Sequence, residues 1–332
     1  MRYLQQKPDA KKVKLDIKDR KIISLLGNNA RLPLTQLSKK VGLSRDAVAY
    51  RVKNYEKRGL VQGYRTMINI SEFGYNNYHL FIKLNNPSDE IQKKLVDKLV
   101  KYPFVRAVIK FIGGFDFEIA LVAKNLEDLD KITEKIMNDF SDFIQNHDIL
   151  IFSKLFLTRT LPKSFSNDIE DVRQGKKKYK PDKKDIEILK LIGEDALMPL
   201  YDIGGEVGIS ADSVAYRIKK MRNSRIINKF FPVINFNSLG YNSYVVLMNI
   251  ASLDAEKGKK LKDFLLYDKN VFWAVKTVGK YNMLAYFLVK EVEDLQSSLF
   301  KLRGLFPGKI NQHEVLIAYE EYKYTYFPKG LF

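Results

Sequence analysis

The sequence predicts an α+β chain built as two tandem copies of one unit, each a trio of short helices with a following strand and then a βαββαβ sheet. Three observations predict it. The 332 residues align on themselves at an offset of 166, the hydrophobic period inside each copy changes from helical to strand-like part-way, and positive charge concentrates in the first helical segment. At that offset 22 of the 60 positions from 19 to 78 are identical without a gap: Asp19 falls on Asp185, Gly27 on Gly193, Pro33 on Pro199 and Val48-Ala49-Tyr50-Arg51 on Val214-Ala215-Tyr216-Arg217. The pairing persists downstream, with Gly74-Tyr75-Asn76 on Gly240-Tyr241-Asn242, Gly113 on Gly279, Glu127-Asp128-Leu129 on Glu293-Asp294-Leu295 and His147 on His313. A whole unit has been duplicated. Between the copies Ser164 to Lys184 is polar, carries Gly175, Pro181 and the run Lys176-Lys177-Lys178, and reads as a linker.

Taken in order, Ile22, Ile23, Leu25 and Leu26 mark one face of a first helix. A second helix over Leu34 to Val41 opens after Pro33, whose missing N–H costs little there. Gly42 suits a tight turn, and the Ser44 hydroxyl can cap a third helix on which Val48, Val52 and Tyr55 recur at helical spacing. Leu60 to Arg65 is strand-like and suggests a small wing. The strands then read Tyr78 to Leu84, Val105 to Ile112, Phe115 to Val122 and Ile144 to Thr158, with helices over Pro87 to Tyr102 and Leu126 to Phe140. This is a ferredoxin-like order, a fold that hosts many functions and decides none. The expected domains are residues 1–66 and 67–163, a linker at 164–184, then 185–232 and 233–332.

Charge separates the segments further. The chain carries +18, of which residues 1–66 hold +12 (17 basic against 5 acidic), residues 67–166 hold zero (13 of each), and 167–232 and 233–332 hold +3 apiece (14 against 11, 13 against 10). A lysine-rich surface chosen for solubility would not be localised in this way; a footprint for a polyanion would. With no Cys there is no disulfide, no thiol nucleophile and no Cys-ligated metal. The apolar runs stop near the length of Met283 to Val289, far short of the roughly 20 residues that a membrane-spanning helix needs. The basic N-terminus lacks the apolar segment of a signal peptide. A cytoplasmic, nucleoid-associated protein is the expectation.

Ser38, Gly42 and Val48 have the spacing of a helix-turn-helix: a small residue where helices touch, a turn glycine and a buried aliphatic on the second helix. Such a motif presents its second helix to a major groove about 12 Å wide. The candidate DNA-binding residues are Arg45, Arg51 and Asn54 for base edges or phosphates, and Lys53, Lys57, Arg58 and Arg65 for phosphates. Tyr50 suits a phosphate or a thymine methyl, or packs on the first helix. In the second copy the candidates are Tyr216, Arg217, Lys219 and Lys220. Asp46 belongs to the first turn of its helix, where it accepts backbone N–H groups.

The stretches Leu15-Asp16-Ile17-Lys18-Asp19-Arg20-Lys21-Ile22, Leu37 to Ser44, Arg51-Val52-Lys53, Gly59-Leu60-Val61 and Gly63-Tyr64 together resemble the Lrp/AsnC (feast/famine) transcription regulators. Gly113-Gly114-Phe115-Asp116 is similar to that family's Gly-x-x-Asp turn. The resemblance implies a regulator that binds double-stranded DNA, with no cofactor and no catalytic residues, and an effector such as an amino acid near Gly113, Phe115 and Asp116, with Gly279 and Tyr281 in the second copy. The bland reading of these glycines is that they make hairpin turns. Where the family's usual chain has one unit and pairs sheet to sheet, two units in one chain imply an intramolecular pseudo-dimer, with further self-association left open. The copies have diverged: Gly204-Gly205 replaces Ser38-Lys39, Ala211 replaces Arg45, Arg222 replaces Glu56 and Asn282 replaces Asp116. This predicts an asymmetric reader in which copy one binds DNA more strongly.

Two other classes compete. An architectural protein coating DNA needs only charge. Siroheme decarboxylases share the two-domain plan and place histidines near the start of the sheet domain. Here Gly74-Tyr75-Asn76-Asn77-Tyr78-His79 offers His79 alone, and the second copy has Val245 in its place. His147 and His313, paired by the repeat, invite a metal or pH-switch reading but have no neighbouring ligands in sequence, which favours strand packing.

Overall fold

The computed structural model describes residues 11–85, 87–166 and 179–331. Most of the expected linker, including Gly175 and the lysine run, lies outside the described residues. The chain divides into two compact units, and each draws on both copies: one from Lys11–Gly74, the described part of Asp171–Leu239 and the residues from Thr325 on, the other from the described part of Tyr75–Glu170 and Gly240–Tyr324. The divisions fall at Gly74/Tyr75 and Leu239/Gly240 rather than at 66/67 and 232/233, because the strand after each helix trio runs on in the first unit. Residues 325–331, expected to end the second sheet domain, belong with the helix trios, where Phe327 meets Phe73 edge-on at 5.4 Å and Tyr326 meets Phe231 at 5.9 Å.

In the first unit α1 (Ile17–Asn28), α2 (Leu34–Val41) and α3 (Arg45–Lys57) are followed by β1 (Val61–Ile68), and α6 (Lys183–Glu194), α7 (Leu200–Val207) and α8 (Ala211–Asn223) by β6 (Ile227–Ile234). The strand expected as a wing has its partner in the other copy: β1 and β6 pair antiparallel, with Arg65 opposite Phe231 and Thr66 opposite Phe230. Hydrogen bonds across this ribbon come in pairs related by the repeat. Ala30 N donates to Phe230 O at 2.9 Å and Ala196 N to Tyr64 O at 3.3 Å; Asn69 N donates to Ile226 O and Asn235 N to Leu60 O, both at 2.9 Å. Thr66 Oγ1 adds a buried bond to Ile192 O at 2.6 Å, and Arg31 reaches Ala196 O at 2.6 Å and Met198 O at 2.9 Å. The two trios are one body held about a local pseudo-two-fold axis.

The second unit holds β2 (Asn76–Leu84), α4 (Asp89–Leu99), β3 (Val105–Ile112), β4 (Phe117–Ala123), α5 (Leu126–Asp139) and β5 (Ile144–Thr158). Copy two repeats them as β7 (Asn242–Ile250), α9 (Ala255–Tyr267), β8 (Val271–Val278), β9 (Met283–Val289), α10 (Val292–Leu305) and β10 (Ile310–Tyr324). Each copy orders its strands as a ferredoxin-like sheet, β3-β4-β2-β5 and β8-β9-β7-β10. The long last strands cross over, β5 onto β8 and β10 onto β3, and close the two sheets into one eight-stranded barrel. Its interior is largely apolar, with Phe81, Phe111, Leu150, Val245, Leu247 and Leu284 packed together from both copies. The exchange removes the open sheet edges that a lone copy would expose.

Candidate nucleic-acid interface

The first copy's helices are fixed at their ends by short-range chemistry. Asp16 caps α1 in a reciprocal capping box with Asp19. Gly42 takes a left-handed φ of 72° and returns its N–H to Ser38 O, so α2 stops within one residue. Lys18 Nζ ties to Val41 O at 2.6 Å, and the Ser44 hydroxyl accepts from Ala47 N at 3.2 Å to start α3 at its new angle. With Val48 and Tyr55 buried against the other two helices, the opposite face of α3 is left in water: Arg45, Tyr50, Lys53, Lys57 and Arg58 are all exposed, Tyr50 to 71%. Tyr50 is therefore not packed on α1. Its exposure beside lysines suits a phosphate or a base.

Two of the expected DNA-binding residues stand apart. Arg51 turns inward, its Nη1 2.8 Å from Asp16 Oδ2 and 2.5 Å from Asp19 Oδ1, and Tyr55 Oη donates to Asp19 at 2.7 Å. The two carboxylates hold the guanidinium charged, and the bond to it is among the causes that keep the Asp16 carboxyl below the usual range, after the backbone N–H of Asp19. Arg65 donates to the carbonyls of Tyr64 and, at the end of α6, Glu194. Asn54 is half-buried and, near the far end of α3, is less well placed for a base edge than Arg45.

The second copy repeats the frame with different surfaces. Arg217 meets Asp182 at 2.8 Å and Asp185 at 2.9 Å, as Arg51 does, but Met221 occupies the place of Tyr55, and the phenol comes instead from Tyr179, whose Oη donates to Asp185 at 2.5 Å. Lys220 lies over the rings of Tyr179 at 4.9 Å and Tyr216 at 5.6 Å. Tyr216, Lys219 and Lys220 are exposed, but Ala211 leaves no arginine at the start of α8. Sequence reasoning missed Arg31 and Thr66, whose partners lie in the other copy. No spacing within one copy signals them.

At the expected effector positions the residues are occupied with holding the fold. A Cβ on Gly113, at φ 147°, would sit 2.6 Å from Leu316 Cδ2, and one on Gly279, at φ 145°, 2.5 Å from Ile149 O. These hairpin ends press on the other copy's last strand, which only glycine permits. Asp116 Oδ2 accepts from Leu84 N at 2.8 Å, with Lys83 Nζ 3.4 Å away. Asn282 does the same for Ile250, accepting from its N–H at 2.9 Å and donating to its carbonyl at 2.7 Å. Phe115 and Tyr281 are buried, and Lys280 Nζ lies over both rings. His147 is exposed, and His313 lies 2.8 Å from an Arg303 nitrogen; burial first, and then that cation, lowers its pKa. Among the described residues no three His, Asp or Glu side chains gather to hold a metal ion, and no helix is long and apolar enough to cross a membrane.

Comparison with known proteins places this geometry. Residues 15–62 match a winged helix-turn-helix DNA-binding model, and residues 182–222 the AsnC-type helix-turn-helix domain. The transcriptional regulator LrpA of Pyrococcus horikoshii is 32% identical over 125 residues, 37% of this chain and 86% of its own. The proline dehydrogenase transcriptional activator of Rhodobacter capsulatus is 31% identical over 119 residues, 36% and 77% of the two chains. The siroheme decarboxylase NirDL matches over 92% of both chains, with a TM-score of 0.61 at 11% identity, a likeness of fold. With two helix-turn-helix matches, regulator relatives that each span about one copy, and the barrel formed by both copies, the chain belongs to the Lrp/AsnC family of DNA-binding transcription regulators and carries the family's unit twice.

Proposed function

We propose that the chain reads a two-part operator as a single-chain counterpart of a two-subunit regulator, and that its first head supplies most of the affinity and the base reading. The observation that carries this is the contrast between α3 and α8 in one rigid pair. Arg45, Lys53, Lys57 and Arg58 stand in water on α3, whereas α8 begins with Ala211 and its Lys220 lies over two tyrosine rings. Arg51 and Arg217 serve to fix each recognition helix to the start of its own trio. They position the reading residues without themselves reading.

The test compares variants of the full chain on the same selected operator. Lys53→Ala with Lys57→Ala is expected to weaken binding by about ten-fold or more and to lower the salt slope by about two, one for each phosphate left without its lysine. Lys219→Ala with Lys220→Ala is expected to cost less. Equal losses would remove the asymmetry. Arg45→Ala should relax sequence preference; if it weakens every sequence alike, the protein coats DNA without reading it.

A second reading, a tetrapyrrole-handling enzyme, is favoured by the whole-length likeness to a siroheme decarboxylase together with the position of His79. Ferric haem added to the protein without producing a shifted Soret band discards it.

A further inference from the structure

One polar group in the largely apolar barrel joins side chains of both copies, and it has no twin. His79 on β2 is 7% exposed and Glu118 on β4 is 2% exposed. His79 Nδ1 lies 2.6 Å from Glu118 Oε1, and Tyr286 on β9 donates its phenol hydrogen to Glu118 Oε2. Trp273 on β8 closes the group, its ring 5.5 Å from the imidazole and edge-on to Tyr286 at 5.6 Å. Applying the 166-residue offset to these four residues gives Val245, Leu284, Ala120 and Ala107, all in the apolar core. A symmetric two-chain barrel would carry either two polar sites or none. Fusion has allowed one copy's side to become polar while the other remained ordinary core.

The hydrogen bonding of the group is incomplete in one respect. Tyr286 donates to one oxygen of Glu118, so His79 Nδ1 is assigned as the donor to the other, and in the neutral ring this leaves Nε2 as the acceptor. That Nε2 is buried and has no hydrogen-bond partner among the described residues. Native interiors rarely leave a buried acceptor unmatched, and a packing role would be filled at less cost by valine, as the twin position shows. A carboxylate behind a histidine fixes its tautomer and makes the free nitrogen a stronger acceptor. A bare metal ion is not the partner, because among the described residues no three His, Asp or Glu side chains gather here to hold one. Trp273 is half-buried and is the side of the group nearest to water, while the Tyr286 phenol lies buried, with Glu321 of β10 close enough to act on it.

We propose that His79, Glu118, Trp273 and Tyr286 form the single effector site of the fused chain, and that it takes a flat aromatic or heteroaromatic molecule which donates one O–H or N–H to His79 Nε2. The ligand packs on the Trp273 ring and completes the acceptor. The proposal rests on the regulator reading for the word effector, but not for the site itself.

Trp273 is the sole tryptophan of the chain, so its fluorescence reports the site directly. The probes are 4-nitrophenol, at a pH where it is protonated, and 4-nitroanisole, the same ring with the donor methylated. Saturable quenching by the phenol at an affinity about ten-fold above that of the ether is expected, the worth of one hydrogen bond to a buried acceptor. The triple variant His79→Val, Glu118→Leu, Tyr286→Phe writes two of the twin's residues into the site and is expected to melt cooperatively and lose the preference. Equal quenching by both probes, or a preference kept in the triple variant, overturns the proposal. If that variant does not fold, the comparison of the two probes on the native chain decides alone. Band shifts on the same samples keep the readings separate: lost DNA binding with the probe preference intact fails the regulator reading and leaves the site standing.

Discussion

Each third helix carries an arginine whose guanidinium points back to the start of its own copy. Arg51 joins the capping carboxylate of α1 to α3, and Arg217 joins that of α6 to α8, in each case through two aspartates three residues apart. The ion pairs are partly exposed and worth little as pairs, but they share a hydrogen-bonded network with a cap and a tyrosine. Arg51→Ala is therefore expected to lower stability by about 1 kcal/mol, seen as a lower Tm, while the sequence preference on selected DNA stays the same. The pH dependence has a fixed sign. Asp16 and Asp182 have folded pKa values held low, first by backbone N–H groups at the caps and then by the arginines. Their contribution is thus present above the unfolded value of about 4 and is lost as pH falls through the folded one. Tm should fall as pH drops from about 5 to about 3, and less steeply in Arg51→Ala with Arg217→Ala.

At the scale of elements, the glycine pair inside α7 separates two effects that look alike in sequence. Both residues replace side chains of α2, and each carries a helix-interior cost of about 1 kcal/mol relative to alanine. A Cβ on Gly204 would lie 2.5 Å from the Ile209 carbonyl oxygen, in the turn before α8, whereas one on Gly205 meets nothing within 4 Å. Gly205→Ala should raise stability by about 1 kcal/mol, and Gly204→Ala should lower it by pushing α8 from its seat; thermal melts of the two variants check both signs. The element boundaries show what could be read beforehand. α2, β3 and β5 run over the residues their period and flanking signals indicate, since capping, proline position and strand alternation are local. The partner of β1, the exchange of β5 and β10 between sheets and the clasp of Arg31 join residues that lie far apart in the chain, such as Ala107 with Tyr324 and Thr158 with Trp273, and no local pattern encodes them. For the same reason the candidate site was half legible: exposure of Arg45 and Lys53 follows from helical period, but the inward turn of Arg51 follows from which aspartates the fold brings to it. Arg225 at φ 60° stands where copy one has Gly59, a residue choice that nothing in the structure explains.

For the molecule as a whole, the question is what two heads on one ribbon gain over two heads on a string. A flexible tether raises the local concentration of the second head but leaves the half-site spacing loose. The β1–β6 ribbon, the reciprocal backbone bonds, the side-chain bonds of Arg31 and the buried bond of Thr66 instead fix one head against the other. A rigid pair on one face of DNA needs half-sites about one helical turn or a multiple apart, roughly 10 bp, in register with its pseudo-two-fold axis. Inserting about 5 bp between the half-sites rotates one to the opposite face, and affinity should fall close to that of a single half-site. About 5 bp more restores the face and recovers part of the loss. In Arg31→Ala with Thr66→Val the ribbon keeps its backbone bonds but loses the two cross-copy anchors, so affinity at the best spacing should fall while the penalty for the half-turn insertion shrinks. Competition band shifts across the spacing series measure both quantities, and a native chain that tolerates every spacing equally would show that its heads act as tethered monomers.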